Sequence, residues 1–566
     1  MKPEHKKYIN ENIDKMSIKQ IAVNLGLKER KVRKYLTTIE KKAHKTIVQT
    51  ENTSDQHKNK TIFIVLLIVA VCVVYANSLG GPFLLDDDTL VKGNPLIQSI
   101  SNIPKFFKVD IFAHNVNAKS ISNSYRPLQT MTYAIDFSFW GNNPIGFHLT
   151  NILLHLSAVL LVFLFIKKIS NNLSISFFTA LLFAINPVNT ACVSYISGRA
   201  DILAAIFMLL SVINFISYAR NERKVFLLIS ILSYLCAVYS KEYSILVLPL
   251  ILFLYNVVFE RYILSKARII FFYAIPLFLY FPMRIQALSG LTSRSLELAG
   301  LGLFPRVLTS LKTLFIDVRI LFLPYDLHFA RTTKVEHSLF GSIYLVLTIL
   351  GFALMVFFLK SLHKKWQNEK KLESGMIFFG ILWFFISMIP LLNIVPLQVF
   401  HADNWLYFSS IGMYLAAVSI SYYIWRLGSK KRALFRSVFS ILVCFVFLCY
   451  GFMTVKRNED YRGAIKFYLS NLKWRPSVKF YKTLAGKYGE KGDYNNALKY
   501  SKKAIETNEF YPSKDVIPAY YNLGISYMNL GRYNEAEEAF EKVMMSDSES
   551  LKENTKVYLK HIKKQQ

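Results

Sequence analysis

Long apolar runs separated by short polar stretches dominate this chain. An apolar segment of about 17–25 residues is long enough to cross a bilayer as a helix. Eleven such segments are predicted, at about 60–78, 146–166, 174–190, 201–219, 225–240, 243–259, 268–285, 339–360, 376–396, 405–426 and 434–455. One further run, 306–323, carries Lys312, Asp317 and Arg319 and is read as an amphipathic helix lying in the outer interface. The pattern therefore predicts an all-α, polytopic membrane fold.

Loop charge orients these segments. The Lys-rich N-terminus, Lys167-Lys168, Arg220 to Lys224, Glu260 to Arg268, Lys360 to Lys371 and Arg426 to Arg436 are expected on the cytoplasmic side. They alternate consistently only if 306–323 does not cross, which leaves the N-terminus inside and the C-terminus outside. A composition of 53% hydrophobic and 15% aromatic residues, with mean hydropathy +0.30, excludes an ordinary soluble enzyme. The net charge of +31 gathers in the N-terminus, the short loops and the C-terminal tail, where it suits anionic lipid; nucleic acid is not the expected partner. Cys72, Cys192, Cys236, Cys444 and Cys449 lie in or beside apolar runs without metal spacing, and no disulfide framework is expected. About 60 polar residues precede the first run, so it is read as an uncleaved anchor. Abundant Lys, Asn and Ile point to a bacterial inner membrane.

Five regions follow. Residues 1–45 form a small basic, helix-turn-helix-like region, with a capping-box spacing at Ser17 to Gln20, a turn at Gly26 and a second helix over Lys28 to Tyr35. Residues 46–59 link it to the membrane domain, 60–456. Over 460–545 two stretches repeat at a shift of 39 residues: Tyr481, Leu484, Ala485, Tyr488, Gly492, Tyr494, Ala497, Ala504, then Tyr520, Leu523, Gly524, Tyr527, Gly531, Tyr533, Ala536, Phe540. They resemble tetratricopeptide repeats, which form a concave binding surface and need neighbours to bury their faces. The extra length falls in the Phe510 to Ser513 linker. Residues 546–566 read as a basic tail.

Polar residues recur along the outer loops. Asp86, Asp87 and Asp88 follow the first span, where they could set a base at the membrane surface, hold a divalent cation through hard oxygen ligands, or simply be a solvated loop. Asn94 and Tyr125-Arg126-Pro127-Leu128 come next. His148, Asn151 and His155 share one helix face, as helix–helix hydrogen bonds or as a stripe lining a cavity. Arg199 and Asp201 could pair with each other, or Arg199 could meet a phosphate. Lys241-Glu242 and His401 to Tyr407 mark two further rims.

The ordered set Asn77-Ser78-Leu79, Phe83, Asp86-Asp87, Asn94, Tyr125 to Leu128, His148…Asn151…His155, Asn186-Pro187, Gly198-Arg199-Ala200-Asp201, Lys241-Glu242 and Leu406-Tyr407…Ser410…Gly412 resembles the transmembrane-and-TPR family of protein O-mannosyltransferases, glycosyltransferases of the GT-C fold. The resemblance covers about residues 60–545. It implies a polyprenyl-phosphate-linked sugar donor, an extracytoplasmic site and inverting transfer to a protein hydroxyl. Asp86 or Asp87 would be the base. Arg126, His148, Arg199 and Lys241 would bind the donor phosphate, with Asn94, Asn151, His155, Asp201, Glu242 and Asp403 in support. Two departures stand out. Ala191 occupies an acidic position of the family's motif, and Asn404 replaces a rim arginine. They leave open a different sugar, a different acceptor, or a non-catalytic scaffold whose repeats bind a partner protein.

Overall fold

A computed structural model describes residues 3–12, 16–32, 59–113, 124–260, 268–288 and 300–565, apart from isolated positions. The linker 46–58, most of the second N-terminal helix, and parts of the loops at 261–267, 289–299 and 428–432 lie outside the described residues. Two compact units result, Met1–Leu66 and Leu67–Gln566. The first contains helices Pro3–Asn12 and Ile18–Asn24, with Ile9, Ile21, Ala22 and Val32 buried together.

Every described element of the larger unit is helical. All eleven segments predicted as spans are helices where described, but among the described residues seven helices are long and apolar enough to cross a membrane. A bent pair, Leu173–Ile185 and Pro187–Val193, makes an eighth. Lys224–Ser240 and Ser244–Phe259 are apolar but shorter, so the count of eleven crossings is not established. Local sequence explains the boundaries. Asn171 takes a left-handed turn (φ 49°) after Pro144–Ser170, and the Asn172 side chain accepts from the Ile175 amide to start the next helix. That helix bends by 49° at Asn186-Pro187, where proline cannot donate and Asn186 caps the amide of Val188.

The helix over the 306–323 run, Leu303–Phe322, turns its charges inward. Arg306, Lys312 and Asp317 are buried, while Leu303 and Phe304 are exposed. The expected amphipathicity is present, but its polar face meets protein instead of water. The C-terminal region also differs in detail. Ala464–Leu472, Val478–Glu490, Tyr494–Phe510, Val516–Asn529 and Tyr533–Met544 stack in sequence. The stretch read as a basic tail is a helix, Glu549–Gln565, whose Ile562, Tyr558 and Leu559 close the last repeat's core. Gly524 allows the pair to close: a Cβ there would lie 2.6 Å from the Phe540 ring.

The first helices from Ala464 onward pack on the membrane domain. Tyr461, Phe467, Tyr468, Phe480 and Leu484 pack with Leu84, beside the acidic triplet, and with Tyr195 and Phe329. Helices Leu372–Met388 and Leu406–Leu427 touch backbone to backbone at Gly380 and Gly412, where an added Cβ on either would collide with the other's carbonyl oxygen. Gly412→Ala should therefore lower the melting temperature in detergent by the equivalent of about 1–3 kcal/mol. Gly351→Ala, where an added Cβ meets nothing within 4 Å, should not.

Candidate active site

The triplet sits on a turn that leaves one carboxylate out and draws the next one in. Leu85 takes φ +49°, a left-handed conformation unusual for leucine, directly before Asp86. Asp87 is buried and clasped on both oxygens: one accepts from the Leu84 amide at 3.0 Å, the other from the Ser197 amide at 2.8 Å and from the Ser197 hydroxyl. Burial pushes the Asp87 carboxyl up from its ordinary 3.8 to about 7, against the pull of those donors. Asp86 is exposed, and its amide donates to the Tyr195 hydroxyl at 3.3 Å. Asp88 is half-buried.

Ser197 joins the triplet to the next loop. Its carbonyl accepts from Gln129, in helix Pro127–Trp140, which begins one residue after Arg126. Gln129 in turn bonds Tyr133, and Tyr133 donates to the Ile196 carbonyl. Beneath this lies Arg199, wholly buried. Its guanidinium pairs with Asp136 at 2.6 Å, donates to Asn151 at 2.7 Å and to the Phe147 carbonyl at 3.0 Å, and lies 4.8 Å from the Tyr133 ring centre. Arg199, expected at a donor phosphate, is enclosed here, and its fork bonds inside the protein. The Arg199–Asp201 pairing is not made either; Arg199 takes Asp136.

Asp201 instead accepts from Lys241 with both oxygens, at 2.6 and 2.5 Å, and from Asn404 at 2.8 Å. Lys241 is thus a buried ion-pair partner. Arg126 is more open than Arg199 and Lys241: its Nε meets Glu242 at 3.2 Å with both side chains about a quarter exposed. Arg284 approaches the same carboxylate at 3.7 Å. Burial raises Glu242, but Arg126 and Arg284 outweigh it and hold the carboxyl below its ordinary value.

The polar stripe of Pro144–Ser170 works as a fastener. His148 Nε2 donates to the Gly81 carbonyl at 3.2 Å, so close that a Cβ on Gly81 would lie 2.8 Å from that nitrogen. Asn151 donates to the carbonyls of Val193, Tyr195 and Ile196. His155 donates from Nε2 to the Ala184 carbonyl and accepts the Tyr407 hydroxyl at 2.6 Å on Nδ1. Asn94 caps a short turn by accepting from the Leu96 amide. Asp403 belongs elsewhere, with His401, which bridges it at 3.0 Å to Asp317 at 2.5 Å. Burial opposes the ring's charge, yet the two carboxylates win and raise it to about 9. Among the described residues no three His, Cys, Asp or Glu side chains converge as ligands for a metal ion.

Three organising residues were not legible in the sequence. Ser197, Asp136 and Gln129 are ordinary polar residues in context. The only signal was Asp136 as a lone carboxylate in an apolar helix.

A tetratricopeptide repeat model matches residues 517–545. Curated relatives include human protein O-mannosyl-transferase TMTC1, 36% identical over 158 residues that make up 28% of this chain and 18% of that protein. Human protein O-mannosyl-transferase TMTC4 is 32% identical over 174 residues, 28% of this chain and 24% of that one. The chain resembles the transmembrane-and-TPR protein O-mannosyltransferases. It spans only about a fifth of the length of the curated relatives it matches. Among solved structures, ArnT from Cupriavidus metallidurans bound to undecaprenyl phosphate aligns with a TM-score of 0.40 at 13% identity, covering 86% of this chain and 81% of that one. The chain is an all-α, multi-pass membrane protein.

The two departures from that family's motif now have surroundings. Ala191 is buried, and its carbonyl would lie 2.7 Å from a Cβ on Gly198. Asn404 donates to Asp201, so the position still serves the Asp201–Lys241 pair.

The clasp on Asp87 gives a sign-definite pH prediction. Its folded pKa lies above the unfolded value, so the folded state binds the proton more tightly. This group's contribution to stability falls as pH rises from about 4 to about 7 and is flat above. Asp87→Asn cannot titrate and should remove that component from a plot of melting temperature against pH. An unchanged slope would mean that Asp87 is not the titrating group.

Proposed function

We propose that the chain is a membrane glycosyltransferase. It moves a sugar, mannose or similar, from a polyprenyl-phosphate carrier to a hydroxyl, a protein Ser or Thr, on the extracytoplasmic face of a bacterial inner membrane. The N-terminus would be cytoplasmic and the repeats outside. The observation that carries this reading is an exposed carboxylate, Asp86, on a turn locked by its buried neighbour Asp87. The names of the curated relatives support the reaction class.

In this reading Asp86 accepts the acceptor's hydroxyl proton as its oxygen attacks the anomeric carbon. The carbon–oxygen bond to the phosphate breaks, polyprenyl phosphate leaves with the electron pair, and the configuration inverts. Only one carboxylate acts directly, unlike the paired acid and base of glycoside hydrolysis. General-base help is worth about 10²–10⁴ in rate. Arg126, with Arg284 beside it, offsets the charge building on the phosphate, because it stays partly exposed. Asp87, Ser197, Arg199 and Lys241 position the loops, and an acceptor held by the repeats would lie near Asp86, since Tyr468 and Phe480 pack against that loop.

A second reading, a non-catalytic scaffold whose repeat module binds a partner, draws on Ala191, where the family's acidic position is empty of charge. Transfer of labelled sugar from polyprenyl-phosphate donors in membranes separates the two. Asp86→Asn should lose about 10²–10⁴ of the rate and Arg126→Gln about 10²–10³, with melting temperatures close to that of the parent chain. A parent chain that transfers nothing from any such donor favours the scaffold. Near-normal rates in Asp86→Asn would remove Asp86 as the base.

A further inference from the structure

Helix Leu303–Phe322 and the segment after it, with Tyr344 and Trp474, border a partly open cavity of about 300 Å³ that the transfer reaction above does not use. Its lining includes Lys312, Asp326, His328, Arg331, Lys334 and Trp474. Three of these six are cations and one is a carboxylate. Lys312 is anchored by Glu336 at 2.5 Å and by the Lys334 carbonyl. Arg331 is anchored by Asp326, at 3.0 Å to its carboxylate and at 3.0 Å to its carbonyl. Asp326 is shared with Arg319, and burial fails to raise it because both arginines hold it below its ordinary value.

Two polar atoms here are left over. Arg331 Nε and His328 Nε2 are buried and have no hydrogen-bond partner among the described residues, although the side chains are 8% and 3% exposed. Their hydrogen-bonding senses are opposite. Arg331 Nε can only donate. His328 bonds the Asp326 carbonyl through Nδ1 at 2.7 Å, so Nδ1 carries the proton and Nε2 presents a lone pair. Burial, with Arg331 beside it, pushes the ring down to about 4, so it is neutral at physiological pH. A buried donor and a buried acceptor without partners are costly, and a complementary ligand removes that cost. Trp474 contributes a partly exposed indole face.

We infer that this cavity binds an anionic, hydroxyl-bearing ring, a sugar phosphate or a sugar acid. The oxyanion would meet Arg331 and Lys334, a hydroxyl would donate to His328 Nε2, and the apolar face of the ring would lie against Trp474. The cavity adjoins the transfer machinery, and naming its ligand as an acceptor rests on the transfer reading. Phe329, next to His328, packs on Tyr195 with ring centres 5.2 Å apart, and the Tyr195 hydroxyl holds the Asp86 amide. These contacts link the segment that lines the cavity to the turn that carries Asp86, so an acceptor already carrying an anionic sugar is the ligand best suited to it.

The test is calorimetric titration of the detergent-purified full chain with mannose 6-phosphate, glucuronate, inorganic phosphate and mannose. Mannose 6-phosphate or glucuronate should bind saturably, at least about tenfold more tightly than phosphate alone, and neutral mannose should not bind measurably. Trp474→Ala and Lys334→Gln alter exposed or partly exposed side chains and should fold; each should weaken binding about tenfold, as should His328→Phe. Arg126→Gln should leave this binding unchanged. No saturable binding of either anionic sugar overturns the inference, and so does phosphate binding as tightly as both. If Arg126→Gln abolishes binding while the cavity variants do not, the ligand belongs to the Arg126 site; the cavity assignment then fails and the transfer reading survives.

Discussion

The clasp of Asp87 by Ser197 and Leu84 is the interaction on which the loops around the triplet depend. It ties the loop after the first span to the loop before helix Arg199–Asn221, two segments 110 residues apart in sequence. A carboxylate buried in this way is costly unless its oxygens are satisfied, and here both accept from donors. The same contact fixes the direction of Asp86, because the turn that draws Asp87 in presents Asp86 outward.

Arg199 supports that clasp from below. A fully buried guanidinium survives only when nearly every N–H has an acceptor, and Asp136, Asn151, Thr132 and the Phe147 carbonyl provide them. Removing one partner from such a pair leaves an uncompensated charge, which is worth about 3–5 kcal/mol. Asn151 also reaches the carbonyls of the loop that carries Ser197. Span, loop and triplet are therefore one polar unit. The repeat module is part of the same construction, since its first helices bury their aromatic rings against Leu84 and Tyr195.

Among the cations, burial separates two kinds. Arg199 and Lys241 are enclosed with their own carboxylates, whereas Arg126 keeps about a quarter of its side chain open and shares Glu242 with Arg284. Arg126 thus stands apart from Arg199 and Lys241, whereas Arg331, buried and paired with Asp326, falls with the enclosed cations.

The sequence alone determined the helical content, the apolar segments and the repeats, because hydrophobic runs and small-residue spacing are local properties. The single stripe of His148, Asn151 and His155 was equally readable, since residues three and seven apart share a face whatever surrounds them. Pairing was not readable. Arg199 next to Asp201 in sequence reads as a local pair, yet helix direction sends the one to Asp136 and the other to Lys241 and Asn404. The inward turn of the charges on Leu303–Phe322 was likewise invisible, because amphipathicity does not say whether water or protein meets the polar face. Which carboxylate of three adjacent ones is exposed, and which is closed over, was decided only where distant loops met. Partners for buried charge are chosen by proximity in space, and nothing in the order of residues encodes that distance directly.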